Sequence, residues 1–509
     1  MGIHASVLLT NPATVAGVVC VVSFAALFKY FRTSNRKITV TLPKLSPPPE
    51  FQNTDPDIVV IGGGITGASF ATRLGMEGKK VVMIERNMGT DETMRGELLL
   101  PGGINALEEM DMKDILDDID GNRVKGTTFF DIRLGGEPGY VHFPEPGGIT
   151  MRHGYLVNAL RKKAIAQKSV TVIEAVGKEL IKENGRVVGV RYKKKDDAVI
   201  QEIRAPLVVI GDGYYSKLTA EYRTTHQPVS SDVCIGFPLK NYRFESGKCE
   251  GEFVEYGIGH PGAQIINYKL NDHENRGFLL VHGKPPSNLK EFCEKTVVPN
   301  LPEHMKKPVM ESIADGLRVV RCQRMAANFD VTPGLLILGD ALNTRHPVTG
   351  SGMTAALNDI LLWWKVFTNK IHDLTDDEAI LQQKLIFRTE RLKYSYVNNV
   401  LAEITILLIN DHDTSTVALQ QQLIKLFREV AKAEGPQHTM EAAANTIGGL
   451  YGGTITDPNV LQSVLDRVIE GTVKEIYKTR PYLSAVWESM QVRRKWKAMC
   501  SVMQLEAMT

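Results

Sequence analysis

Asp57 to Glu85 reads DIVVIGGGITGASFATRLGMEGKKVVMIE. Ile58 to Ile61 is a short β-branched apolar run, which predicts a buried strand. Three glycines follow at once, then a helix-like segment from Gly67 to Gly78, then a second apolar strand ending at Glu85. This is a βαβ unit with a parallel sheet, carrying G-x-G-x-x-G as Gly62, Gly64 and Gly67. The glycines allow a tight turn, a close approach of backbone to a pyrophosphate, and close helix–strand packing. The helix start offers free N–H groups and positive potential to phosphate. Glu85 stands eighteen residues beyond Gly67, where an acidic side chain takes the ribose hydroxyls of an adenosine. A lone glycine motif is weak; strand, glycines, helix, strand and acid in order point to dinucleotide binding.

Two further strand ends carry glycine and acid. Gly211-Asp212-Gly213 follows the apolar strand Leu207 to Ile210, and on its own is an ordinary turn. Leu338-Gly339-Asp340-Ala341 follows the strand Leu335 to Leu338 and precedes a helix near Gly352. Gly339 lets the backbone come close, and Asp340 can accept from a ribityl hydroxyl. Gly350-Ser351-Gly352-Met353 presents helix-start N–H groups that suit the pyrimidine edge of a flavin. Together the three motifs resemble the flavin-dependent aromatic-hydroxylase-type monooxygenases.

Within that superfamily the closer resemblance is to the squalene epoxidase (squalene monooxygenase) family, over about Asp57 to Asp359. It is carried by LGDALNTRHPVTGSGM (338–353), by Gly96-Glu97-Leu98 before Pro101-Gly102-Gly103, and by His153-Gly154 with Arg161 eight residues on. The resemblance implies FAD, contacted at Ile65, Thr66, Glu85, Arg86, Leu98, Arg161, Val176, Asp340 and Met353. It implies epoxidation of squalene through a flavin C4a-hydroperoxide, with electrons from NADPH through a diflavin reductase. His346, beside Pro347, is assigned a structural role, because epoxidising an alkene requires no protein base. The chain departs from the family pattern at three places. Thr93-Met94-Arg95 replaces Arg-Ile-Val, with Arg95 placed to reach the same phosphate from a shifted position. Leu100 stands where the family has Gln, and Thr127 where it has Tyr. The last two belong to a polar network beside the flavin, so they bear on substrate identity.

The expected fold is therefore α/β: a Rossmann-like FAD-binding domain of glutathione-reductase type, with an inserted mainly-β substrate domain and a helical C-terminal region. The FAD-binding parts are 55–110, 151–222 and 321–375; the substrate-domain parts are 111–150 and 223–320; helices follow over 376–509. Thr127 to Ile132 and Val233 to Leu280 carry strand and turn signals. From Thr354 onward the pattern is helical, broken near Gly448 to Asp457.

Residues 13–28, ATVAGVVCVVSFAALF, hold no charge and precede Lys29, Arg32, Arg36 and Lys37. The run approaches membrane-spanning length if Lys29 snorkels. Residues 1–37 read as an N-terminal membrane anchor, with the rest of the chain in the cytosol; in a eukaryote the membrane is that of the endoplasmic reticulum. Residues 38–54 form a proline-rich linker. Near the C-terminus Leu483, Val486, Trp487, Met490, Trp496 and Met499 alternate with Arg493, Arg494, Lys495 and Lys497. That suits either a membrane surface or a solvated helix packed on the core. Val397 to Ile409 suits either a cavity wall or ordinary helix core.

The 509 residues allow two or three packed units, with 43% apolar and 23% charged residues as in ordinary globular proteins. A net charge of +2 and the lack of basic–aromatic runs give no sign of a nucleic-acid partner. Six scattered cysteines form no Cys-x-x-Cys pair; that spacing fits reduced cysteines in a cytosol-facing protein and gives no zinc or disulfide framework. Two other functions fit the same residues. One is a related membrane flavoenzyme oxidising or reducing another isoprenoid or a polyketide. The other is a flavin-binding protein without turnover.

Overall fold

A computed structural model describes residues 47–494, apart from 91, 134–136, 196, 224–227, 243–250, 261–262, 411–413, 432–446, 480–483 and 486. The expected anchor at 1–37, most of the linker, and Leu483, Val486, Trp496 and Met499 lie outside the described residues. Among those described, no helix is long and apolar enough to cross a membrane.

The first strand is Ile58–Ile61, buried along its whole length. It sits between Val81–Glu85 and Leu207–Ile210, parallel to both, with Ile58 opposite Val81 and Leu207. Leu335–Ile337 extends the parallel set beyond Leu207–Ile210, and Val170–Glu183 extends it on the other side. Arg186–Lys194 and Gln201–Arg204 complete a seven-stranded sheet as antiparallel edge strands. Because the next strands are laid down on one side of Ile58–Ile61 and the later ones, Leu207–Ile210 and Leu335–Ile337, on the other, the crevice beyond its carboxyl end is the switch point where such sheets bind ligands. Helices Ile65–Met76 and Gly352–Asn369 pack nearby, with Phe70 edge-on to Phe367 at 6.1 Å and Trp363 stacked on Phe367 at 5.4 Å. Met112, Ile115, Leu116 and Ile119 join the same apolar core as Val60, Met83 and Leu336.

A second seven-stranded sheet runs in the order 318–324, 229–238, 275–282, 264–269, 253–258, 126–131 and 139–142. Both segments read as strand-rich supply it. Only Gly126–Asp131 and Phe253–Ile258 pair parallel; the other pairs are antiparallel. Its two faces feed two cores. One face, with Phe129, Tyr256, Tyr268 and Phe278, meets Ile406, Phe427 and Ile447 of the C-terminal region. The other, with Phe130, Ile235 and Leu279, packs against the helix Glu303–Ala314 through Met305 and Val309. After Gly352 the described chain is helical, in Gly352–Asn369, Asp377–Asn410, Thr414–Ala431 and Pro458–Thr479, with turns near Gly453 between the last two. Those helices share a core of their own around Val397, Leu401, Leu461 and Leu465.

A buried charge pair ties the segment before Leu98–Leu99, which pairs with Gly148–Met151 in a small third sheet, to the second sheet. Glu97, from the Gly-Glu-Leu segment, accepts from Arg276 Nε and Nη2 at 3.0 Å each and from the Tyr268 hydroxyl at 2.7 Å. Both charged side chains are 4% exposed or less. Burial lifts the Glu97 carboxyl above its ordinary value, and Arg276 pulls against that rise. A carboxyl raised in the folded state contributes stability that is full below its unfolded value and is lost as pH climbs through its folded value. Removing Arg276 enlarges the rise. Arg276→Met should therefore cost about 3–5 kcal/mol at neutral pH and less at about pH 5, near the carboxyl's own range. Urea unfolding at both pH values measures this; an equal loss at both would show that Glu97 is not the group left uncompensated.

Candidate functional site

The glycine loop turns immediately after Ile61. Gly62 has φ +98°, and a Cβ there would stand 2.6 Å from Asp212 Cα and 2.7 Å from the Gly211 carbonyl oxygen. A Cβ on Gly67 would stand 1.8 Å from the Gly62 carbonyl oxygen. These two glycines are thus required by packing. Gly64 differs: a Cβ there would meet nothing within 4 Å, so this glycine borders open space. It is also the N-cap of Ile65–Met76, and no side chain caps that helix. Its first-turn N–H groups need acceptors, and the loop leaves room for a phosphate to supply them.

Glu85 fixes this loop from the next strand. One carboxylate oxygen accepts from Gly63 N–H at 2.5 Å and the other from Asn87 N–H at 2.9 Å. Arg161 donates from Nε to the Gly63 carbonyl at 2.6 Å and from Nη1 to the Gly89 carbonyl at 3.2 Å, with Nη2 3.7 Å from Glu85. Gly63, Glu85 and Arg161, far apart in sequence, therefore form one buried cluster beneath the loop.

The other two strand ends converge here. Gly339, at φ +61°, passes so close to Thr66 that a Cβ would lie 2.2 Å from Thr66 Oγ1. Gly211 meets the same side chain, its Cβ position 3.2 Å from Thr66 Cγ2. The segment 211–213, unremarkable alone, is thus part of the loop's packing surface. Asp340 lies deep among protein atoms yet its side chain reaches the open cleft, so it counts as exposed. Its carboxyl is raised by its low-dielectric surroundings, with Arg345 and Arg95 opposing the rise. Arg95 therefore brings its charge to bear on this cleft. The helix Gly352–Asn369 also starts without a side-chain cap, and a Cβ on Gly352 would meet nothing within 4 Å. Two uncapped helix starts opening on free space fit a ligand with a pyrophosphate at one end and a hydrogen-bonding ring at the other.

The sequence model of the squalene epoxidase family matches residues 204–443. The chain is 34% identical over 385 residues to squalene monooxygenase of Mus musculus, covering 74% of this chain and 66% of that one. To squalene epoxidase erg1 of Schizosaccharomyces pombe it is 31% identical over 443 residues, covering 82% of this chain and 94% of the other. The chain belongs to the squalene epoxidase family. It spans about two thirds of the length of the mouse relative. Among solved structures it is similar to p-nitrophenol 4-monooxygenase from Pseudomonas putida, with TM-score 0.62, 16% identity, and coverage of 78% and 98%. It is similar also to the flavin-dependent brominase Bmp2, with TM-score 0.58, 13% identity, and coverage of 81% and 99%. At these identities the likeness is one of fold: a mixed α/β fold of the kind found in FAD-dependent monooxygenases.

The Arg345-His346-Pro347 segment, the most specific of the family's motifs here, is a structural junction. Arg345 donates to Asn399 Oδ1 at 3.0 Å, to Asn343 Oδ1 at 2.8 Å and to the Ser351 carbonyl at 3.3 Å. Arg391 donates to Asp359 at 2.8 Å and to the same Asn343 oxygen at 3.1 Å, and the Tyr394 hydroxyl donates to Asp359 at 2.5 Å. All of these side chains are buried. The network ties the loop before Gly352 to the long helix Asp377–Asn410. None of Asn343, Asp359, Arg391, Tyr394 and Asn399 was read from sequence. Their polar character at positions facing a helix core was the available signal. His346, given a structural role from the sequence, is fully buried in this segment. Its Nδ1 accepts from Val348 N–H at 3.2 Å, so Nε2 carries the proton and faces Asp232 at 3.4 Å. Burial lowers its basicity, and Asp232 opposes that shift.

The remaining predicted residues fall in three places. Ile65, Thr66, Leu98 and Met353 are buried around the cleft. Arg86 is exposed, as is Val176, on the strand Val170–Glu183. Leu98 touches the loop, standing 3.0 Å from the Cβ position of Gly350. The apolar run Leu98-Leu99-Leu100 is divided by strand alternation: Leu98 and Leu100 face the second sheet, whereas Leu99 enters the first core. Phe130 likewise turns from Phe129 to the opposite face. Within Val397 to Ile409, Ala402 and Ile406 face the Phe129 cluster, and Val397, Val400, Leu401 and Ile404 face the helical core.

The glycines make separable predictions. Gly64→Val should fold with nearly unchanged melting temperature but be purified without the flavin absorbance of the wild type. Gly67→Ala should fail to accumulate as folded protein. Retention of full flavin absorbance by folded Gly64→Val would remove Gly64 from the site.

Proposed function

We propose that the protein is an FAD-dependent monooxygenase that epoxidises squalene, or a closely similar apolar polyene, to its 2,3-epoxide. Electrons would come from NADPH through a diflavin reductase, at the cytosolic face of the endoplasmic reticulum membrane. In this reading the N–H groups after Gly64 hold the pyrophosphate, Glu85 the adenosine ribose, and Asp340 the ribityl chain. Ile65, Thr66, Arg86, Leu98, Arg161, Val176 and Met353 complete the contacts, and Arg95 takes the phosphate role of the family's displaced arginine. Gly62 and Gly67 shape the loop that makes those contacts possible.

One observation carries the substrate class. The apolar cluster of Leu98, Leu100, Phe129, Tyr256, Ile406 and Phe427 reaches Val348 and touches the loop at Gly350, immediately before the uncapped helix start. An ionised substrate would lose solvation there, whereas a hydrocarbon gains about 0.8 kcal/mol per buried CH2. FAD, when bound and reduced, supplies activated oxygen for transfer to an alkene. The chain's part is to exclude water with that cluster, hold the alkene near the loop, and stabilise negative charge with the N–H groups at Gly352. His346 holds the loop, and no proton need pass through it.

Leu100 and Thr127 support a second reading, a related membrane flavoenzyme acting on another isoprenoid or a polyketide. Incubation with FAD, NADPH, a diflavin reductase and squalene, followed by mass spectrometry, separates the two. The first reading expects 2,3-oxidosqualene. Oxygen consumption by reduced enzyme with no oxidosqualene transfers the function to the second. Leu100→Gln should keep or raise product formation while lowering stability by about 1–3 kcal/mol, the cost of burying its amide.

A further inference from the structure

Spacing in the sequence gives no cysteine pair, but the second sheet makes one. Strands Val229–Pro238 and Arg318–Arg324 run antiparallel, with Asp232 opposite Cys322 and Cys234 opposite Val320. Cys234 and Cys322 thus occupy diagonal positions on one face of the sheet. Their sulfurs lie 3.2 Å apart, hydrogen-bonded thiol to thiol. Both are free thiols; Cys322 is buried and Cys234 partly exposed. They belong to the core beneath the loop at Val348, and Cys234 is close enough to Tyr256 to act on its hydroxyl, which donates to the Val348 carbonyl at 2.8 Å.

We propose that Cys234 and Cys322 are a peroxide-sensitive thiol pair that closes reversibly to a cross-strand disulfide. Hydrogen peroxide is the oxidant. The Cys234 sulfur attacks one peroxide oxygen, the O–O bond breaks, and sulfenic acid forms at Cys234 as water leaves. The Cys322 sulfur then attacks the Cys234 sulfur, the S–O bond breaks, and a second water leaves. Two thiols and one peroxide give one disulfide and two waters, and a dithiol reductant reverses the change. Cys234 is the first to react because it is the more accessible. Cys322 is held protonated by its hydrogen bond to Cys234, by burial and by nearby Asp232, so it does not react first; its proximity makes it the resolving thiol, its proton leaving with the displaced hydroxyl as water. Cys293 is no competitor: it lies in the core on the other face of the sheet, and burial pushes its thiol up to about 11.

Closure has a route to the candidate site. The sulfurs must approach by roughly 1 Å to reach bonding distance. That movement falls on the strands carrying Asp232, whose carboxylate faces His346 of the loop at 3.4 Å and binds His282 at 2.6 Å. The exposed His282 lies opposite Asp232 on the neighbouring strand. Oxidation is therefore expected to loosen the hold of the loop at 346–350 on bound FAD. This last step rests on the FAD reading; the disulfide does not.

The test treats purified full-length protein with hydrogen peroxide, blocks remaining thiols with iodoacetamide, and maps peptides by mass spectrometry without reduction. A peptide pair linked through Cys234 and Cys322, lost on treatment with dithiothreitol, supports the proposal. Cys322→Ala should then stop at sulfenic acid on Cys234, trapped by dimedone. Alkylation of both thiols after peroxide, links to other cysteines instead, or sulfinic acid at Cys234 beside a free Cys322 would overturn it. Flavin released on oxidation and retained by Cys234→Ala tests the coupling. Retained flavin in oxidised wild type would overturn the coupling alone, leaving both the disulfide and FAD binding standing.

Discussion

The close approach of three backbone turns organises this molecule. Gly62, Gly211 and Gly339 end three adjacent parallel strands, and each is pressed against another turn or against Thr66. Hard-sphere contact sets the distance between these turns, since a side chain at Gly62 or Gly339 would overlap its neighbour and one at Gly211 would crowd Thr66. The helix Ile65–Met76 must therefore begin where it does, with its uncapped N–H groups at the switch point of the sheet. Gly64, the one residue in the loop with open space beside it, is where that packing stops and a ligand can start.

A second constraint holds the rest of the chain to this point. Buried charges join the loop and the second sheet to their neighbours: Glu97 with Arg276, Arg391 with Asp359, and Arg345 with Asn343 and Asn399. Such pairs add little net stability compared with well-packed apolar groups, but breaking one leaves a buried charge and is costly. Their value here is geometric. Asn343 Oδ1 accepts from Arg345, Arg391 and Asn399 at once, so the loop and the long helix have one arrangement that satisfies all donors. An apolar contact would permit sliding between helix and loop; this one does not.

What could be read in the sequence follows from which interactions are local. The βαβ unit was legible because strand, glycine turn, helix and acid lie within one short segment, and their spacing is dictated by the sheet. The turn at Gly339 and the helix start at Gly352 are legible for the same reason. The Arg391, Tyr394 and Asp359 cluster was not, because its members come from two helices and meet only through tertiary packing. Nor does the sequence show that Leu98-Leu99-Leu100 splits between two cores. An apolar run does not reveal which side faces which core when both faces of a strand are buried. The split of Phe129 and Phe130 between two cores is hidden for the same reason. The Cys234–Cys322 contact arises from strand register between segments over eighty residues apart, which no spacing rule in the sequence expresses.

The departures at Leu100 and Thr127 can be placed in this frame. The resemblance assigns those positions to a polar network between the second sheet and the flavin loop. Here Leu100 is buried among apolar side chains, and the Thr127 hydroxyl is buried with no hydrogen-bond partner among the described residues. The sheet still reaches the loop by polar contacts, but from other strands. Tyr256, stacked at 5.0 Å on Phe129, donates to the Val348 carbonyl, and Asp232 faces His346. Both contacts land within three residues of one another, just before Gly350. Hydrogen bonding that holds the loop is thereby separated from the residues nearest Leu98 and Leu100, and those are left apolar. A site built this way discriminates by shape and desolvation rather than by hydrogen bonds. Such discrimination is worth only about 1–3 kcal/mol per methylene, so under the proposed function the length and branching of a hydrocarbon substrate, not a polar group on it, would decide what is accepted.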